Sequence, residues 1–164
     1  AALELSSKIN VEDIDRVDVT AYQAAIDVCN RPEPESEYEA KFSLQHCVAI
    51  SLLDGKNVFE SYDPSSRDRA ARLRDCIDVQ AGEKYNAAYP RDWGGEVTLH
   101  LKDGGSVTAS RGACKGDPEL PLNRTEMINK SRELLSFAMV NDVEGVVNGI
   151  LSMADGGGVP NVQI

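Results

Sequence analysis

Apolar and polar residues alternate along four segments of the chain, at residues 15–26, 77–82, 96–101 and 106–110. Alternation with a period of two places successive side chains on opposite faces of a sheet, so these segments are predicted to be β-strands. In the first segment the apolar phase shifts by one residue at Tyr22, which predicts a bulge or a bend. The pair Asp103-Gly104 separates the last two segments and predicts a hairpin turn.

A second pattern, in which apolar residues recur three and four positions apart, predicts helices. The helical segments are residues 3–8, 37–53, 65–76, 123–138 and a last one from 141 or 142 to 151. Ser36-x-x-Glu39 resembles an N-terminal capping box, and Asp54-Gly55 is expected to end the same helix. Residues 37–53 are apolar around most of the helix, so this helix is predicted to be central.

The order of these elements predicts the fold class, because strands and helices do not alternate strictly. We expect an α+β fold, a two-layer sandwich of about four mostly antiparallel strands with about four helices packed on one face. No internal repeat and no linker divides the chain. Residues 1–155 are therefore expected to form one domain, followed by a flexible glycine-rich tail at residues 156–164.

Composition and charge exclude several classes of partner. The chain has 164 residues, of which 41% are hydrophobic, and a formal net charge of −10. No basic strip offsets this charge, so nucleic acid and anionic membrane surfaces are poor partners, whereas a locally positive pocket for a small anion is compatible with it. No apolar run approaches the roughly 20 residues of a membrane span, so no such span is predicted.

The four cysteines, Cys29, Cys47, Cys76 and Cys114, form no C-x-x-C pair, and their spacing argues against a zinc site. We expect reduced thiols in a cytoplasmic protein, although an even number of cysteines also permits two disulfides. The common catalytic motifs are absent as well: the sequence has no G-x-S-x-G elbow, no P-loop and no H-E-x-x-H pair.

The chain contains two histidines, His46 and His100. His100 is out of phase with the apolar positions of its strand, so we expect it on the outer, polar face of the sheet. His46 lies in the apolar helix. It is either a core residue whose ring nitrogens are hydrogen-bonded, or an acid/base group or substrate contact, since imidazole titrates near neutral pH.

Several segments together resemble the MmgE/PrpD family. They are residues 40–49 (AKFSLQHCVA) with 52–55 (LLDG), 73–79 (LRDCIDV), 97–104 (VTLHLKDG) and 116–122 (GDPELPL). They occur in the family's order and span most of the chain. The family includes 2-methylcitrate dehydratase, cis-aconitate decarboxylase and iminodisuccinate epimerase.

The resemblance implies a domain organisation. Family members have a large all-helical N-terminal domain and a smaller α+β lid domain, and residues 1–155 look like the lid. The helical domain is therefore expected to be the missing partner, and the full-length protein is expected to be a homodimer. The chain would begin just after the lysine-containing segment that leads into the family's lid.

The resemblance also implies chemistry: a proton is removed next to a carboxylate, and water is eliminated, carbon dioxide is lost or the carbon is reprotonated, without a metal or a cofactor. The substrate would be a small polycarboxylate. His46 stands where the family often has a tyrosine facing the substrate, and Gln45 where it often has a proline. We expect His46 to be catalytic and Ser43, Lys41 and Arg111 to bind substrate.

Two functions from different classes follow from the sequence. The first is the lid domain of a lyase or isomerase, inactive by itself, which closes over a cleft in the helical domain. The alternative is a free-standing α+β binding or dimerisation module without catalysis. The reading frame upstream of Ala1 would discriminate between them, because only the first function requires a preceding helical region.

Overall fold

The computed structural model describes residues 1–163, which divide into two compact units. The first unit runs from Ala1 to Cys114 and holds the β-sheet, and the second unit begins at Lys115 and holds two helices. The predicted α+β class is confirmed. One domain over residues 1–155 with a flexible tail stays a prediction, and Ile164 of that tail lies outside the described residues.

Four strands form one mixed sheet in the order β2–β1–β3–β4. Their bounds are β1 (Ile14–Ala21), β2 (Ile77–Ala81), β3 (Gly95–Leu101) and β4 (Ser106–Arg111). β1 pairs in parallel with β2 and antiparallel with β3, and β3 pairs antiparallel with β4. The predicted number of strands, their mostly antiparallel pairing and the hairpin at Asp103-Gly104 are confirmed.

The described residues contain eight α-helices rather than about four. Their bounds are α1 (Ala2–Ser6), α2 (Gln23–Cys29), α3 (Glu37–Lys41), α4 (Leu44–Asp54), α5 (Pro64–Arg74), α6 (Glu83–Ala88), α7 (Arg124–Phe137) and α8 (Val143–Met153). The short segment at residues 3–8 was not included in the expected four and forms α1. In addition, α2 and α6 were not predicted, and one predicted helix is divided into α3 and α4.

The core of the first unit lies between one face of the sheet and α1, α4 and α5. Alternation places Val17 and Leu99 on this face, where both are fully buried, while Asp18 points to the other face. The apolar residues of α4 complete the core, including Ile50, which is also fully buried. The prediction that this helix is central is therefore confirmed.

The shift of apolar phase at Tyr22 was interpreted as a bulge or bend, and this was wrong. β1 ends at Ala21, and α2 begins at Gln23. Tyr22, Ala25 and Ile26 have helical spacing, so the shift marks a change of period from strand to helix. The side-chain oxygen of Asn86 accepts the free N–H of Gln23 at 2.6 Å and so supports the helix start.

The helix predicted over residues 37–53 is interrupted at Phe42 and Ser43. Ser43 has an extended backbone, and its Oγ accepts the backbone N–H of His46 at 3.0 Å. A serine that caps a new helix competes with continuation of the preceding one, which accounts for the break. The capping box of Ser36 and Glu39 is confirmed at the start of α3.

Gly55 ends α4 with φ at +62°, in the left-handed region that favours glycine. Gly55→Ala is expected to destabilise the first unit by about 1 kcal/mol, because a Cβ strains this backbone conformation. A Cβ there would meet only Ser6 Oγ, at an ordinary 3.6 Å. The matched control is Gly112→Ala, where φ is not left-handed and a Cβ meets nothing within 4 Å. Urea unfolding of both variants measures the difference; equal stabilities would contradict the backbone explanation.

The second unit contains α7 and α8, both of which were predicted. A capping box of Asn123 and Glu126 starts α7, and the side chain of Asp142 caps α8. Large apolar side chains are exposed on this unit, including Met127 (58% exposed) and Ile150 (52% exposed). Among residues 1–163, no helix combines the length and the hydropathy needed to cross a membrane.

Candidate functional site

His46 lies in the first turn of α4 and is completely buried, with 0% of its surface exposed. Its Nε2 is 2.8 Å from the backbone oxygen of Ser61. Because a carbonyl only accepts, the ring carries its proton on Nε2. The other ring nitrogen, Nδ1, is therefore an acceptor, and Nη1 of Arg74 lies 3.5 Å from it. These contacts fix both the tautomer and the orientation of the ring.

Burial lowers the pKa of His46 below its ordinary value, because a charged imidazolium is poorly solvated there. The hydrogen bond to Ser61 opposes this effect, whereas the charges of Arg74 and Arg67 reinforce it. The ring is therefore neutral at pH 7. The described structure favours a framework role for His46, and the predicted catalytic role stays a prediction.

Folding stability is expected to decrease as the pH falls from 7 to 5, because the unfolded chain takes up the His46 proton first. The native pKa of His46 is lowered, so the loss begins as the pH passes the unfolded value of about 6.5, with a slope of at most about 1.4 kcal/mol per pH unit. Carboxyl groups whose pKa is lowered in the folded protein, such as those of Asp54 and Asp63, stop contributing to stability only at a pH below this range. Urea unfolding at several pH values measures the slope.

His46→Gln is expected to flatten this slope, because glutamine does not titrate. His100→Gln is the matched control, since it removes the other histidine of the chain. A slope between pH 7 and 5 that stays unchanged in His46→Gln would contradict the assignment of the titration to His46.

Ser43 and Gln45 attach the loop of residues 30–36, which we call the strap, to α4. Ser43 is 1% exposed, and its Oγ donates to the backbone oxygen of Arg31 at 2.6 Å. Gln45 accepts from the backbone N–H of Arg31 at 3.2 Å and donates to Asn30 Oδ1 at 2.6 Å. The hydroxyl of Ser43 is thus used as donor and acceptor within the protein, and its predicted contact with substrate stays a prediction.

Two arginines of α5 hold the strap from the other side. Nε of Arg74 donates to the oxygen of Pro32 at 3.2 Å, and Nη2 of Arg67 donates to the oxygen of Glu35 at 3.3 Å. Arg74 contacts His46 with the same guanidinium group. The strap, α4 and α5 therefore meet beside the buried ring.

Tyr62 lies next to both Lys41 and His46, and no sequence pattern indicated it as part of the site. Nζ of Lys41 is 5.7 Å from the centre of the Tyr62 ring, and the Tyr62 and His46 ring centres are 5.8 Å apart. Burial raises the pKa of Tyr62 to about 12, so its hydroxyl stays protonated. Lys41 and His46 thus lie beside Tyr62, and Ser43 caps the helix that carries His46. Nζ of Lys41 also pairs with Glu37 at 2.7 Å, and its predicted contact with substrate stays a prediction.

Arg111 does not join this group. Its Nη2 is 2.7 Å from a carboxylate oxygen of Glu4 in α1. It lines a cavity of about 380 Å³ together with Cys47 and Ser51 of α4 and with Trp93. Its predicted contact with the substrate stays a prediction.

The remaining sequence expectations concern cysteines, metals and His100. Among residues 1–163, none of the four cysteines takes part in a disulfide. Residues 1–163 include no group of three or more His, Cys, Asp or Glu side chains that could hold a metal ion. His100 lies half-buried on the outer face of the sheet, as predicted, with Nε2 2.8 Å from Asp18 Oδ2.

Comparisons with known proteins identify similar sequences. The family model of the MmgE/PrpD C-terminal domain matches residues 1–147. Cis-aconitate decarboxylase of Mus musculus is 28% identical over 134 residues, which cover 77% of this chain and 26% of that protein. Cis-aconitate decarboxylase of Homo sapiens is 27% identical over 137 residues, which cover 77% of this chain and 27% of that protein. The chain thus spans about a quarter of the length of these curated relatives.

Proposed function

This chain belongs to the MmgE/PrpD family, and on that premise we propose that it is the lid domain of a lyase or isomerase that acts on a small polycarboxylate. The observation that carries the proposal is the similarity to two cis-aconitate decarboxylases over 77% of the chain. The reaction would begin with removal of a proton next to a carboxylate. Dehydration, decarboxylation or epimerisation would complete it.

The proposed partner is an N-terminal helical domain. Two observations support it: the chain matches a C-terminal domain, and it spans about a quarter of its relatives' length. Apolar side chains exposed on the second unit, such as Met127 and Phe137, are also compatible with a surface that a partner covers. Most of the acid/base groups would belong to that domain. Assembly as a homodimer and a location in the cytoplasm stay predictions.

The proposed contribution of this chain is one positive, water-excluding face of the site. A polycarboxylate needs cations nearby, although the chain carries a net charge of −10. Arg67 and Arg74 lie beside His46 and supply local positive charge. The neutral ring of His46 accepts from Arg74 and thereby orients its guanidinium group.

A comparison of the full-length polypeptide with the 164-residue chain tests the proposal. Each is incubated with cis-aconitate, 2-methylcitrate and iminodisuccinate in deuterated buffer, and NMR follows product formation and exchange of the proton next to the carboxylate. We expect the full-length polypeptide, and not the 164-residue chain, to convert one of them. Turnover by the chain alone contradicts the lid assignment. Neither turnover nor exchange by the full-length polypeptide contradicts the function and favours a free-standing binding or dimerisation module.

The catalytic role predicted for His46 needs its own experiment. If His46 transfers a proton, His46→Gln in the full-length polypeptide should lower kcat by about 10²–10⁴-fold, the usual contribution of an acid or base. The pH profile of kcat should lose one ionisation at the same time. A folded variant with unchanged kcat and an unchanged profile contradicts that role and leaves His46 as a framework residue.

A further inference from the structure

The arginines of the first unit differ in their partners. Several pair with a carboxylate, namely Arg16, Arg69, Arg72, Arg91 and Arg111. Arg67 and Arg74 form no ion pair with any carboxylate among residues 1–163. Both lie in α5, in the same helix as the paired Arg69 and Arg72. In a chain with 27 acidic residues, two neighbouring, half-buried guanidinium groups without a paired carboxylate require an explanation.

Backbone oxygens and one neutral ring are the partners of these two groups. Arg67 donates to the oxygens of Tyr62 and Glu35, at 2.8 and 3.3 Å. Arg74 donates to the oxygens of Pro32 and Arg67, at 3.2 and 2.6 Å, and faces Nδ1 of His46. Neutral acceptors satisfy some N–H groups, but they carry no negative charge to pair with the two guanidinium groups.

Two features of the surroundings of Arg67 and Arg74 favour binding of an anion. Both guanidinium groups are half-buried, which strengthens their interaction with an anion relative to fully exposed groups. They lie beside His46 in the first turn of α4, an 11-residue helix whose N-terminal end carries partial positive charge. Three carboxylates, those of Asp75, Asp68 and Glu33, lie close enough to influence Arg74, although none of them pairs with it.

We propose that Arg67 and Arg74 form a binding site for a carboxylate group of a small di- or tricarboxylate. Nη2 of Arg74, and the N–H groups of Arg67 that no backbone oxygen accepts, remain to donate charge-assisted hydrogen bonds to a carboxylate. His46 holds Arg74 in place through Nδ1, and because its ring is neutral it adds no further positive charge to the site. The chemical class of the ligand is taken from the proposed function, on which this inference therefore rests. The inference adds that two residues of this chain, Arg67 and Arg74, bind one carboxylate group of that ligand.

The test uses tricarballylate, an unreactive tricarboxylate, added to the ¹⁵N-labelled 164-residue chain at constant ionic strength. NMR follows the arginine Nε–Hε signals. We expect saturable shifts for Arg67 and Arg74, and about tenfold or greater weakening of affinity in Arg67→Gln and in Arg74→Gln, as for loss of a charge-assisted hydrogen bond. Arg72→Gln is the matched control: it lies in the same helix, its side chain is 76% exposed and it pairs with Glu12 instead.

Three results would overturn the inference. They are the absence of saturable shifts in the wild type, an unchanged affinity in Arg67→Gln, and binding of inorganic phosphate as tight as that of tricarballylate. If loss of the His46 contact prevents Arg74→Gln from folding, Arg67→Gln carries the test by itself. The readout needs no turnover. Binding without activity in the full-length polypeptide therefore contradicts the proposed function alone, and activity without arginine-dependent binding contradicts this inference alone.

Discussion

His46→Leu is expected to destabilise the first unit by about 2–4 kcal/mol, because it leaves buried polar groups without partners. The ring is 0% exposed and donates to the backbone oxygen of Ser61, a residue that is itself 2% exposed. Arg74 would lose its contact with Nδ1 as well. Leucine is close to histidine in size, so the loss would come from unpaired polar groups more than from a cavity.

Urea unfolding followed by circular dichroism measures this loss. His46→Gln is the informative companion variant, because its amide can both donate and accept and should recover part of the stability. His100→Leu is the surface control: its side chain is 33% exposed, and its partner Asp18 keeps access to water. A His46→Leu variant as stable as the wild type would show that the Ser61 and Arg74 contacts contribute little to folding.

The second large effect is expected for Ile50→Ala, at about 2–5 kcal/mol. Ile50 is 0% exposed and belongs to the core cluster between α4 and the sheet. Truncation removes buried apolar surface and leaves a cavity that the surrounding side chains fill only in part. Val28→Ala, at a position that is 52% exposed, should change stability by less than about 0.5 kcal/mol.

Thermal and urea unfolding of the Ile50→Ala variant measure this effect, and its pH dependence separates it from that of His46. Ile50 does not titrate, so the slope of stability between pH 7 and 5 should remain that of the wild type. A loss below about 1 kcal/mol would contradict the central place of α4 in the core.

Local patterns were sufficient for most of the secondary structure. Alternation along β1 and β3, the hairpin at Asp103-Gly104 and the capping boxes that begin at Ser36 and Asn123 all depend on residues a few positions apart. Such signals act within one turn or one pair of strands, so the sequence displays them directly. The errors arose where two signals compete, as at Ser43, where a capping side chain interrupts an apolar run that is otherwise helical.

Local patterns were not sufficient to predict the candidate site, because its residues come from separate parts of the chain. Lys41, Ser43 and His46 are close in sequence and stay close in the structure, whereas Arg111 pairs with Glu4 of α1 instead. Tyr62 and Arg67 gave no periodic or motif signal, because isolated residues in a turn and on a charged helix resemble ordinary surface positions. The family resemblance indicated His46, but not the residues that surround it.

The sequence by itself determined the α+β class, four strands, the central apolar helix and the family, since periodicity, caps and motifs are written into neighbouring residues. Only the tertiary structure decided the state of His46, whose ring partners Ser61 and Arg74 are 15 and 28 residues away along the chain. Packing of α5 and the strap against α4 brings these groups together. Burial, which depends on the whole fold, then makes the imidazole neutral. The same packing directs Arg67 and Arg74 to backbone oxygens instead of carboxylates.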